Sequence, residues 1–81
     1  MDTEQKYVRL EEYDEIIIFP QVLKHSTFKH LKPVSAGFCS VGCGEIKCYG
    51  RSVSLGLESK DDDSFIATEQ VFGEDAAEAI H

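Results

Sequence analysis

The sequence predicts an α+β domain: a small antiparallel sheet of four to five strands, with a C-terminal helix packed on one face. Three observations predict it. Residues 33–58 alternate apolar and polar side chains by twos, the period of a half-buried strand, between glycine breaks. Ile16–Phe19 is a continuous β-branched and aromatic run, too short to be a helix. Ser59–Ser64 is an acid-rich helix start, followed by the apolar positions Phe65, Ile66 and Phe72.

Taken in order, Met1–Gln5 is polar and expected to be loose. Tyr7–Leu10 is a short strand, and residues 11–15 are an acidic connector. Ile16–Phe19, apolar on both faces, reads as a central strand covered by a helix. Pro20 ends it, since proline cannot donate to a ladder. Residues 21–31 read as a short helical turn with Ser26 as N-cap of Thr27–Leu31. Lys32-Pro33 closes that turn, because the residue before proline resists the helical region.

A three-stranded meander over 33–41, 45–49 and 52–58 follows. A turn centred on Gly42-Cys43-Gly44 sets Phe38 opposite Cys48 and Ser40 opposite Ile46. Cys39, Val41, Glu45, Lys47 and Tyr49 then share the other face. At Gly50-Arg51 the apolar parity changes, which a turn or a bulge can supply and one flat strand cannot.

The helix is predicted over about 60–72. Ser59 is its N-cap, Asp62 stands in the capping-box position and Gly73 serves as a left-handed C-cap. Residues 74–81 are expected to be loose or dependent on a partner. In the core, Phe65, Ile66 and Phe72 should meet Ile16, Ile18, Phe38, Ile46, Val53 and Leu55. The 81 residues make a single domain. A chain of this length buries only about two-thirds of its unfolded surface, which favours a homodimer.

The net charge of −7 is unevenly spread. Residues 1–15 carry six acids against two bases, net −4; residues 16–57 carry one acid against five bases, net +4; residues 58–81 carry eight acids against one base, net −7. A mildly basic centre thus lies between acidic arms. The overall sign opposes direct binding to nucleic acid, which needs neutralised phosphates. No apolar run approaches the roughly 20 residues that span a bilayer, and the acidic start lacks the pattern of a signal peptide. A cytoplasmic location is expected. The odd number of cysteines, three, agrees with reduced thiols there.

Chemistry-bearing motifs are sparse. His25, His30, Cys39, Cys43 and Cys48 lack the paired short spacings of structural zinc sites. The face assignment also sends Cys39 and Cys48 to opposite sides, so neither one ion nor one disulfide should join them. No serine or cysteine sits in a nucleophile elbow, and no Gly-Lys-Ser/Thr follows the glycines around Cys43. Asp61-Asp62-Asp63 lacks the alternate spacing of a calcium loop and reads as helix capping. No catalytic residue, metal or cofactor is expected. The candidate ligand-binding set is Lys47, Tyr49, Arg51, Ser52 and Ser54: a cation and an aromatic ring beside small residues that permit close approach.

The runs Ser35-Ala36-Gly37-Phe38 and Gly50-x-Ser52-x-Ser54-Leu55-Gly56-Leu57-x-Ser59-x-x-x-Asp63 resemble small uncharacterised accessory proteins encoded by phages and prophages. Ile17-Ile18-Phe19-Pro20 and His25 add to that resemblance, which covers about residues 15–66. It implies a non-enzymatic binding protein, acting in a host cytoplasm by blocking a host defence complex or sequestering a signal. The expected partner is therefore a host protein, with a small anion or nucleotide as the alternative. A structural subunit of a larger particle is a third reading.

Overall fold

The computed structural model describes residues 3–12 and 15–80, with the backbone alone described for Thr3 and for residues 74–80. It is the expected α+β fold. Strands β1 (Thr3–Leu10), β2 (Ile16–Phe19), β3 (Pro33–Val41) and β4 (Ile46–Tyr49) form one antiparallel sheet in the order β2-β1-β3-β4. A seven-residue 3₁₀ helix, His25–Leu31, joins β2 to β3. A short hairpin, β5 (Arg51–Ser52) and β6 (Leu57–Glu58), follows β4. Helix α1 (Asp63–Ile80) completes the chain.

The sheet is the middle of three layers. On one face, Tyr7, Ile16, Cys39 and Ile46 are buried with Ala67 of α1, and Ile66 and Phe72 pack around them. On the other, Val8, Phe19 and Ala36 are buried beneath Phe28 of the 3₁₀ helix and Leu55 and Leu57 of the hairpin. Each buried valine, isoleucine or phenylalanine among them contributes about 1.5–3 kcal/mol. His25 is also buried here; its ring nitrogen Nε2 lies 2.7 Å from the Gly37 carbonyl oxygen, and its ring meets Phe19 and Phe38 edge-on.

Several expectations are corrected. The strand at Ile16–Phe19 is an edge, not a centre; it is covered on both faces because the stack has two outer layers. The centre belongs to β1, which begins at Thr3, so Thr3–Gln5 is strand rather than a loose end. Residues 52–58 are not a third strand beside β4. They form the small hairpin instead, with Val53 at its exposed tip. The 3₁₀ helix starts at His25, after an N-cap residue, Lys24, that makes no side-chain cap; Ser26 does not cap it.

Helix α1 runs through Gly73 to Ile80. Gly73 is not among the glycines with positive φ and ends nothing, so residues 74–80 are helical and His81 lies outside the described residues. At its start, Asp63 rather than Asp62 reaches back, accepting a 2.9 Å bond from the Lys60 backbone N–H. The capping geometry is thus shifted one residue from Ser59/Asp62.

The β3–β4 register is also shifted by one. The loop is four residues, closed by Gly42 N–H donating to Glu45 O at 2.9 Å. Phe38 stands opposite Tyr49, Cys39 opposite Cys48, Ser40 opposite Lys47 and Val41 opposite Ile46. A one-residue slip exchanges the faces of a strand. Cys39 and Cys48 therefore share the face under α1, and Phe38 lies on the other, stacked on Tyr49.

Helix α1 bonds to both edge strands of the sheet. Ser64 Oγ accepts from Cys48 N–H at 2.7 Å and donates to Cys48 O at 3.4 Å. One turn later Thr68 Oγ1 accepts from Ile46 N–H at 2.9 Å and donates to Ile46 O at 3.0 Å. On the opposite edge the Gln70 amide bonds both the N–H and the C=O of Ile16, at 2.8 and 2.7 Å. Residues 64 and 68 share a helix face, so two hydroxyls satisfy four outward backbone groups of β4. Replacing them together, Ser64→Ala with Thr68→Val, should cost about 2 kcal/mol or more and promote aggregation through the bared edge. Urea unfolding and sedimentation would read both effects; unchanged stability would show that water serves these groups equally well.

Candidate functional site

The lysines of the 3₁₀ segment and the acids of the helical segment lie over opposite faces of the sheet. Lys24, Lys29 and Lys32, all exposed, belong to the 3₁₀ segment over one face of the sheet. The 18 residues of α1, over the other face, include no lysine or arginine. Asp61, Asp62 and Glu69 are exposed along its start and middle.

This acidic side also carries apolar surface. Phe65 is 69% exposed and Val71 43% exposed. Phe65, Thr68, Glu69 and Phe72 form one side of a hollow of about 200 Å³, closed by Gly44 of the β3–β4 loop and by Gly73. Phe65 was expected in the core. Residues 65 and 66 point about 100° apart on a helix, and Ile66 takes the inward place with Ala67. That angle was the signal available for finding an exposed aromatic here.

Beneath the helix start lies a buried polar cluster. Asp63 is fully buried and accepts from the Tyr7 hydroxyl, from the Lys60 backbone N–H and from Arg9 Nη1 at 3.0 Å. Arg9 Nη1 also donates to Asp62 at 2.9 Å. Burial alone raises a carboxyl pKa, but the Lys60 N–H, the Tyr7 hydroxyl and Arg9 outweigh it and hold Asp63 below the ordinary carboxylate value. Burial, then the hydrogen bond to Asp63, pushes the Tyr7 phenol well above its usual range. A buried phenol that donates to an ionised carboxylate is shut off from solvent and does not titrate near neutral pH. This cluster anchors α1 to β1.

The five predicted ligand residues fall into two places. Lys47 and Tyr49 are exposed on β4, on the side away from α1. The Tyr49 hydroxyl donates to Glu4, and that bond, before burial, pushes the phenol pKa up to about 12. A carboxylate already occupies the contact expected for an anion. Arg51, Ser52 and Ser54 lie in the hairpin. Arg51 stands opposite Glu58 and lines a shallow depression of about 330 Å³ with Ser52, Val53, Gly56, Leu57 and Glu58. Ser52 is buried, and its Oγ accepts from Leu55 N–H at 3.3 Å and contacts Ser54 Oγ at 3.3 Å, so it shapes the turn.

Among the described residues, no three metal-ligating side chains converge, and no helix is long and apolar enough to cross a membrane. Comparison with protein-family models, curated proteins and solved structures gives no match.

Proposed function

We propose that this chain is a non-enzymatic accessory protein of phage or prophage type that binds a host protein, and blocks it, through the outer face of α1. One observation carries the reading: an 18-residue helix without a single basic residue exposes an aromatic ring beside its acids. Exposed acids steer a basic partner, and a phenylalanine supplies the desolvated anchor that charge alone does not. A second copy is a poor occupant, because two such faces would oppose like charges. The partner is a protein surface with an apolar slot rimmed by lysine or arginine.

The test is capture from a bacterial host lysate on immobilised protein, identification of the retained protein, and titration of that protein after purification. Affinity should fall at least tenfold with Phe65→Ala, with Glu69→Lys, and between low and high salt. Affinity indifferent to both substitutions and to salt, or no specifically retained protein, would overturn the reading.

A further inference from the structure

Cys39 and Cys48 face one another across β3 and β4. The pair is of the non-hydrogen-bonded kind, since the N–H and C=O of Cys48 turn outward to Ser64 rather than inward to Cys39. In such pairs the Cα atoms are about 4.5 Å apart and the side chains are at their closest. Disulfides span Cα separations of about 4.4–6.8 Å. Both side chains lie on the same face, in and around one apolar cluster, and both are free thiols. Cys39 is fully buried, whereas Cys48 is partly exposed on the edge strand.

We propose that Cys39 and Cys48 are a redox-modifiable pair, which a small-molecule disulfide such as oxidised glutathione closes into a cross-strand bond stapling β4 to β3. The Cys48 thiolate attacks the oxidant, releasing one small thiol and leaving a mixed disulfide. The Cys39 sulfur then displaces the second small thiol. Two protein thiols and one small disulfide become one protein disulfide and two small thiols, so electrons and protons balance. The staple holds β4 in the sheet without help from α1.

Burial is the chief cause that pushes the Cys39 thiol up to about 11 and the Cys48 thiol up to about 12. Both are protonated at neutral pH, and closure is accordingly slow there. Its rate should rise about tenfold per pH unit from 7 to 9, following the thiolate fraction.

The experiment uses Cys43→Ser protein, which removes the exposed loop thiol, treated in its folded state with oxidised glutathione. The expected product has lost two hydrogens, yields a peptide linking Cys39 to Cys48, and melts roughly 10 °C higher. The Cys39→Ser/Cys43→Ser variant should show none of these. Wild-type protein mapped in parallel should give the same linked peptide, which guards against a folding defect in the variants. A stable glutathione adduct on Cys48 without ring closure, or two thiols still unreacted after prolonged treatment at pH 9, would overturn the proposal.

Discussion

Asp63→Ala should lower folding stability by about 3–5 kcal/mol, the range seen when one partner of a buried ion pair is removed. The substitution strands the Tyr7 hydroxyl, which is fully buried, and takes one carboxylate from Arg9, whose side chain is only 11% exposed. It also frees the Lys60 N–H at the helix start. A domain of this length has a total stability of about 4–12 kcal/mol, so the loss removes a large share of it and unfolds the variant only if the parent lies at the lower end of that range. Asp63→Asn keeps the shape and an acceptor and should cost less. Tyr7→Phe should cost about 1–2 kcal/mol, because Arg9 and Lys60 still serve the carboxylate.

The same pair sets a pH window. Asp63 has a folded pKa below its ordinary 3.8. Its contribution is therefore fully present above pH 3.8 and is lost as pH falls through the lower folded value. Tyr7 has a folded pKa above its ordinary 10.0. Its contribution is present below pH 10 and is lost as pH rises toward the folded value. Urea midpoints measured from pH 2 to 11 should form a plateau between these limits. The acid limb should flatten in Asp63→Asn and the alkaline limb in Tyr7→Phe. An Asp63→Ala protein as stable as the parent would show that the cluster does not anchor α1.

Gly37→Ala should cost about 3 kcal/mol, at the upper end for an added methyl group in a packed interior. A Cβ at position 37 would clash with the Tyr49 carbonyl oxygen and sit 3.2–3.3 Å from the Gly50 carbonyl group. Those are backbone atoms, so no rotamer change relieves the clash. The chain must instead move where it leaves β4 at Gly50, whose φ of 74° already requires the left-handed region. That movement would disturb Ser59 N–H, which donates to Gly50 O at 3.0 Å, and with it the approach to α1. Thermal unfolding of Gly37→Ala beside Gly44→Ala provides the control. Gly44 has open space around it and a positive φ alone, so its cost should be nearer 1 kcal/mol. Equal losses at the two sites would remove steric contact as the cause at Gly37.

The fold class was legible because strand alternation and a capped, acid-rich helix start are local signals. What was not legible depended on partners distant in sequence. Thr3–Lys6 is polar, and only pairing with β3 makes it strand, with Lys6 the first of its residues to pair with β2 as well. Ile16–Phe19 is apolar on both faces whether it lies at the centre or at the edge of a three-layer stack. Burial by layers does not reveal neighbours within the sheet. The glycines around Cys43 suggested a symmetric three-residue turn, whereas Glu45 belongs to the loop. That single residue exchanged the faces of Phe38 and Cys39 relative to Cys48 and Tyr49. The acids at 61–63 were recognisable as a helix start. That Asp63 is fully buried under Tyr7 and Arg9, 56 and 54 positions away, is a property of the assembled chain. The candidate ligand set was assembled from residue types, and Glu4, which meets Tyr49 from another strand, was invisible to it.

The helix that bonds to both edge strands is also made after the strands it protects. Cys48 precedes Ser64 by 16 residues, Ile46 precedes Thr68 by 22, and Ile16 precedes Gln70 by 54. During synthesis at about 5–20 residues per second, a nascent chain that has completed β4 waits about one to four seconds for the closing side chains. Until then the strands lack the side chains that bond to their rims. Chains interrupted between positions 50 and 63 and freed from the ribosome are thus the species most exposed to capture by a neighbouring chain or a holdase chaperone. Release of the helix supplies those side chains and completes the domain.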